Sequence, residues 1–196
     1  MGIHILCIGT ELLVGECTNS NLTFLGGQLC AVGLEVTQEW ALPDDRTLMR
    51  QAMATALANS ELVICSGGLG PTDDDMTREI AAEALGVEMV LHEATADYIR
   101  GLYAKRNLHN REARIRRQSL LPVGSELIKN DWGTAPGSWC RAKNGSVLVL
   151  LPGVPREMKP MFTTYVLPRV QKEFPPKLQR RTFSIFGHPE STVEER

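Results

Sequence analysis

Between Leu62 and Leu85 the chain passes from an apolar run, through a cluster of glycines, into a segment of helical spacing. Leu62-Val63-Ile64-Cys65 is rich in β-branched residues and predicts a buried parallel strand, and residues 78–85 predict a helix that stops at Gly86. The turn between them, Ser66-Gly67-Gly68-Leu69-Gly70-Pro71, can take positive φ and bring backbone close to a ligand, while the helix behind it offers unpaired N–H groups and a positive dipole end. Phosphate suits such a turn. The plainer alternative is a tight turn whose aspartates only cap the helix. Thr72-Asp73-Asp74-Asp75 then crowds three acids against it. Two like charges about 4 Å apart repel by roughly 4 kcal/mol at an effective dielectric of about 20, so phosphate and carboxylates can share the site only with a cation or protons between them. The expected chemistry is a metal-bridged phosphate.

Upstream, residues 3–8 predict a first buried strand running into Gly9-Thr10-Glu11-Leu12-Leu13-Val14-Gly15, which sets an acid at a strand end, where open α/β sheets bind ligands. Asn19-Ser20-Asn21 supplies caps for a helix ending before Gly33, and residues 34–42 predict the second strand. Pro43-Asp44-Asp45-Arg46 follows, with either aspartate a candidate cap for a helix over 47–57. Strand–helix alternation puts Asp44 at the same sheet edge as Glu11 and Asp75. Downstream, residues 87–91 form a short apolar piece, and a helix from His92-Glu93 reaches Tyr103. Asn107-Leu108-His109-Asn110 interrupts it, and 111–118 resumes as a basic helix whose arginines predict a solvated face. Residues 120–125 look like a connector and 126–129 a brief strand. Asn144-Gly145 predicts a hairpin between 138–142 and 146–151. Pro155 fits the first turn of a helix that follows, in which Pro160 sits too deep unless the helix bends or begins late.

A chain of 196 residues is long enough for one full α/β domain, and 43% hydrophobic with 22% charged residues matches an ordinary globular protein. A net charge of −2 leaves no basic field for nucleic acid beyond the local cluster of Arg111, Arg114, Arg116 and Arg117. No apolar run is long enough to span a membrane and residues 2–8 are too short for a signal peptide, so a cytoplasmic protein is expected. Five scattered cysteines, several within apolar runs, suit reduced thiols rather than a disulfide framework or zinc site. After Gln171 the composition shifts: Phe174-Pro175-Pro176-Lys177 predicts a linker and 181–186 a strand, so residues 1–172 are expected as one domain and 173–196 as a linker with an incomplete start of another.

Taken in order, GTELLVG, PDDR, SGGLGPTDDDMT, NDWGTAPGS and LPGVPREM resemble the amino-terminal domain of the CinA (competence/damage-inducible) family over about residues 3–170. That domain is similar to the molybdopterin-binding domain of molybdenum-cofactor synthesis proteins. The resemblance implies a three-layer α/β sandwich with a mostly parallel central sheet. It also implies divalent-metal-dependent (Mg, Mn or Co) hydrolysis of ADP-ribose to AMP and ribose 5-phosphate, or, as the alternative, binding of molybdopterin or its adenylylated form without turnover. The family's carboxy-terminal domain, which deamidates nicotinamide mononucleotide, has no counterpart among these residues. Carried across, substrate contacts fall on Gly9, Thr10, Glu11, Ser66, Gly67, Gly68, Gly70, Thr72, Gly133, Thr134, Pro152 and Gly153. Metal falls on Asp44, Asp75 and Glu11, Asp75 being the acid shared with the molybdopterin-binding pattern, and Asp74 beside it is our candidate for the base, so that Asp74 and Asp75 are the expected catalytic acids. A homo-oligomer, dimer or trimer, is implied as well. Two positions depart from the family pattern: Ser66 replaces threonine, and Ser138 stands where a larger or aromatic residue is common, which bears on how a base or pterin ring would stack.

Overall fold

The computed structural model describes residues 2–105, 107, 111–175 and 186–187. Strands β1 (Gly2–Ile8), β2 (Val36–Leu42), β3 (Ser60–Ser66), β6 (Glu126–Ile128), β7 (Gly137–Arg141) and β8 (Val147–Leu151) form one sheet in the order β2-β1-β3-β8-β7-β6. The first four in that order run parallel, and β7 and β6 add on antiparallel. A single helical turn, α1 (Thr10–Leu13), follows β1. Side chains alternate across a strand, so the apolar runs divide between two cores. Leu6, Ile8, Val63, Cys65, Leu148 and Leu150 pack under α3 (Arg46–Asn59) and α4 (Thr77–Leu85), through residues such as Met49, Met53 and Ile80. On the opposite face Ile3, Ile5, Leu62, Ile64, Val147 and Val149 meet α2 (Ser20–Ala31) and the carboxy-terminal helices, through Leu25, Leu29, Met158 and Phe162. Two covered faces make three layers and explain strands that read as continuous hydrophobic runs. Among the described residues no helix is long and apolar enough to cross a membrane.

Local chemistry accounts for most element ends. Asn19 caps α2 by accepting from Leu22 N, and of the two candidate aspartates it is Asp45 that caps α3, accepting from Leu48 N at 2.9 Å. Gly86 ends α4 in the left-handed conformation at φ 67°. Pro160 lies inside α7 (Pro155–Met161), which begins at Pro155 and opens into a π-helical turn at Phe162–Val166 before α8 (Leu167–Glu173). Pro160 and Pro168 bracket that turn, and each withholds an N–H from the α-helical ladder.

Two expectations are corrected. The connector at 120–122 is strand β5 (Leu120–Pro122), paired antiparallel with β4 (Met89–Leu91) in a separate two-stranded sheet. The basic helix α6 (Glu112–Ser119) does not leave all its arginines free in water: Arg117, half-buried, ion-pairs with the exposed Asp73 at 2.6 Å, while Ile115 packs against Ile99 and Tyr103 of α5 (Glu93–Lys105). The interruption expected at 107–110, the linker at 174–177 and the strand at 181–186 lie outside the described residues, save for Asn107, Phe174, Pro175 and Phe186.

Candidate functional site

Parallel pairing aligns Ile8 with Leu42, Cys7 with Ser66, and Ser66 with Leu151. Four strands therefore end at one edge of the sheet, and β1, whose neighbours are β2 and β3, is where the chain's connections reverse direction, the position at which open α/β sheets hold ligands. A cleft of about 600 Å³ opens there. Gly9 and Glu11 after β1, Asp44 after β2, and Pro152 and Gly153 after β8 line it. The loop after β3 contributes Gly67, Gly68, Gly70, Thr72, Asp74 and Asp75, and Thr134 enters from the segment before β7.

The glycine loop is held from several sides. Gly67 (φ 117°) passes so close to β1 that a side chain there would overlap the Ile8 carbonyl, and Gly68 follows at φ 63°. Thr77, first in α4, donates its hydroxyl to Gly67 O at 2.9 Å and its N–H to Gly68 O. Among the described residues, the N–H groups of Gly68, Leu69 and Gly70 donate to no protein acceptor. Arg78 lies beneath, 2% exposed, donating to Leu69 O and Pro136 O, each at 2.9 Å. Burial pushes its pKa down to about 10 against the opposing pull of Glu79 and Asp75. The guanidinium hydrogen-bonds only to carbonyls, so a positive charge lies behind the loop with no carboxylate bonded to it, and Glu79 and Asp75 balance it only through space.

The three consecutive acids separate. Asp73 is drawn off by Arg117 and does not line the cleft. Asp75 Oδ2 accepts from Thr72 N at 2.9 Å and Thr72 Oγ1 at 2.5 Å, leaving Oδ1 unpartnered, while α4 has no side-chain cap. Asp44 is arranged in the same way: its Oδ2 accepts from Thr10 N and Thr10 Oγ1, and its Oδ1 is open. Asp74 is exposed and its carboxylate has no partner among the described residues. No three His, Cys, Asp or Glu side chains among the described residues are grouped to hold a metal by themselves. One free oxygen on each of two aspartates, with Glu11 beside the same cleft, fits the way hard cations bind, through one or two carboxylates plus substrate phosphates.

Three expected contacts are placed elsewhere. Ser66 is 2% exposed, outside the cleft lining; its hydroxyl accepts from Asn21 Nδ2 at 3.0 Å and donates to Pro152 O at 3.1 Å. Thr10 fastens Asp44, and Gly133 packs against the Glu157 carboxylate. Ser138 is fully buried in β7 opposite Leu150, away from the cleft, so the small residue there bears on sheet packing. The sequence reading missed Asn21, Arg78, Gln118, Asn130 and Glu157. Asn21 also donates to Gly153 O at 2.7 Å, joining the loops after β3 and β8. The NDWGTAPGS run, which opens on Asn130, and the LPGVPREM run, which contains Glu157, carried signals that could have found those two.

A mostly parallel three-layer sheet with a glycine loop at its switch point is the architecture of molybdopterin-binding domains. A family described as "Probable molybdopterin binding domain" matches residues 4–172. A CinA-like protein of Dictyoglomus turgidum is 39% identical over 196 residues, covering 100% of this chain and 47% of that protein. The structure of CinA from Thermoplasma acidophilum superposes with a TM-score of 0.75 at 32% identity, covering 88% of this chain and 96% of that one. MoaB of Thermus thermophilus, described as a molybdopterin biosynthesis enzyme, shares the fold with a TM-score of 0.55 at 18% identity, over 88% of this chain and 91% of its own. The chain belongs to the CinA family, and it spans about half the length of the curated relatives it matches.

Proposed function

We propose that the cleft binds a phosphorylated pterin of the molybdopterin type, with the phosphate on the Gly67–Gly70 loop. The observation that carries this reading is the run of unspent N–H groups at Gly68, Leu69 and Gly70, backed by the buried Arg78 charge. N–H groups that the protein leaves unpaired, next to a helix start and a guanidinium without a carboxylate contact, favour an anion. The family match supports a pterin as the remainder of the ligand. Titration calorimetry with molybdopterin should give a saturable signal that inorganic phosphate competes away; absence of binding refutes the reading.

A second reading is hydrolysis of the ADP-ribose diphosphate to AMP and ribose 5-phosphate. The open oxygens of Asp44 and Asp75, both of which line the cleft, favour it. Mg²⁺, Mn²⁺ or Co²⁺ held by one or two of Asp44, Asp75 and Glu11 together with the substrate's own phosphates would supply Lewis-acid neutralisation of the diphosphate and a more acidic water. Asp74, exposed and unpartnered, would take the proton, and the loop N–H groups would stabilise charge on the phosphate oxygens. AMP released from ADP-ribose with any of these metals decides for hydrolysis; tight molybdopterin binding without AMP release decides for the binding module.

A further inference from the structure

Glu157 stands in the first turn of α7, 8% exposed, and lines the cleft. Its Oε2 accepts from Asn130 Nδ2 at 2.8 Å. The same Asn130 amide also donates to Ala135 O, and Asn130 Oδ1 accepts from Trp132 N, so this side chain is fully engaged within its own loop. Gly133 lies so close over the carboxylate that any side chain there would overlap it, which fixes how the acid is presented. Oε1 has no hydrogen bond, and no lysine or arginine pairs with Glu157 among the described residues. Glu157 Oε1 is not among the buried atoms left without a partner, so it is reached from the cleft and stands open to donors on whatever enters it.

Thr134 supplies the complementary group. Its hydroxyl accepts from Gln118 Nε2 at 3.2 Å, while Gln118 Oε1 accepts from Tyr103, so the amide orientation is set and the threonine proton is left for an acceptor in the cleft. Gln118, Thr134 and Glu157 all line that cleft. The wall thus presents an acceptor from Glu157 and a donor from Thr134. A ring edge with N–H groups beside a carbonyl matches it. The 2-amino-4-oxo pyrimidine edge of a pterin or a guanine has that pattern, with a ring N–H and an amino group for the carboxylate. Adenine offers a ring nitrogen acceptor in place of the ring N–H.

We propose that Glu157 is the specificity residue of this cleft, accepting the ring N–H and amino group of a 2-amino-4-oxo pyrimidine ring. The proposal rests on the reading in which the ligand's phosphate sits on the glycine loop. Its test is calorimetry on the full chain with GMP, IMP, AMP and ribose 5-phosphate, with and without Mg²⁺, for the parent and Glu157→Gln. Hydrogen bonds to a charged acceptor lead to the expectation that GMP binds about tenfold or more tighter than AMP, with IMP between. Glu157→Gln keeps a carbonyl for Asn130, so its melting temperature and its ribose 5-phosphate affinity should match the parent while the preference for GMP disappears. Equal binding of GMP and AMP by the parent, with ribose 5-phosphate still bound, overturns the role of Glu157 and leaves the phosphate reading standing. Failure of every probe, ribose 5-phosphate included, overturns the phosphate reading and this proposal with it. Loss of all probes in Glu157→Gln only when Mg²⁺ is present assigns Glu157 to a cation instead, which also overturns ring recognition.

Discussion

Arg78→Met tests whether the cleft is built around a buried cation. Methionine keeps an apolar stem of similar length but removes both donors, so the carbonyls of Leu69 and Pro136 lose their partners inside the protein. Stranding a buried acceptor costs about 1–3 kcal/mol, and relief from burying the guanidinium, whose pKa is depressed to about 10, offsets part of the total. A net loss of about 2–4 kcal/mol is expected, which for a chain of this size lowers Tm by about 5–12 °C. The two carbonyls belong to separate segments beside the cleft, since Leu69 in the glycine loop lines it and Pro136 follows Ala135, which lines it too. Phosphate affinity should therefore fall along with stability. Differential scanning calorimetry gives the first quantity and titration with ribose 5-phosphate the second. A variant melting within about 2 °C of the parent and binding phosphate equally well would show that neither carbonyl depends on Arg78, and the reasoning would fail.

Two further outcomes are expected. Asp75→Asn retains an oxygen for both Thr72 donors and should melt like the parent, whereas Asp75→Ala should lose about 1–3 kcal/mol; if hydrolysis operates, Asp75→Asn should cut AMP release by roughly two to three orders of magnitude, and unchanged release would make the residue structural. Burial of His4 lowers its pKa from 6.5, so the unfolded chain takes up a proton that the folded chain resists; stability is full above 6.5 and declines as pH falls through 6.5 toward the lowered value. Urea midpoints measured between pH about 7.5 and about 5.5 should fall more for the parent than for His4→Gln, and parallel curves would rule His4 out as the source.

The strand, glycine loop and helix from Ser60 to Leu85 were legible because their determinants are local: β-branched residues, glycines where φ turns positive, and a left-handed stop at Gly86. The GTELLVG, PDDR and glycine-loop motifs lie along the same sheet edge for the same reason, each at the end of a strand whose alternation with helices could be counted. Strand β5 escaped because three residues ending in a proline carry no period, and only pairing with β4 defines them. Arg117 was taken for a solvated side chain because its partner Asp73 is 44 residues away and nothing in the basic run points to it. The buried polar joints are of the same kind: Asn130 to Glu157 spans 27 residues, Arg78 to Pro136 spans 58, and Asn21 to Gly153 spans 132. Burial of a polar side chain is favourable only when a specific partner meets it, and that partner is delivered by the packing of separate elements rather than by neighbours in sequence. The chain's local chemistry determined that a glycine loop would form at a strand end; the tertiary structure decided which side chains hold it in place and which acid faces the space beside it.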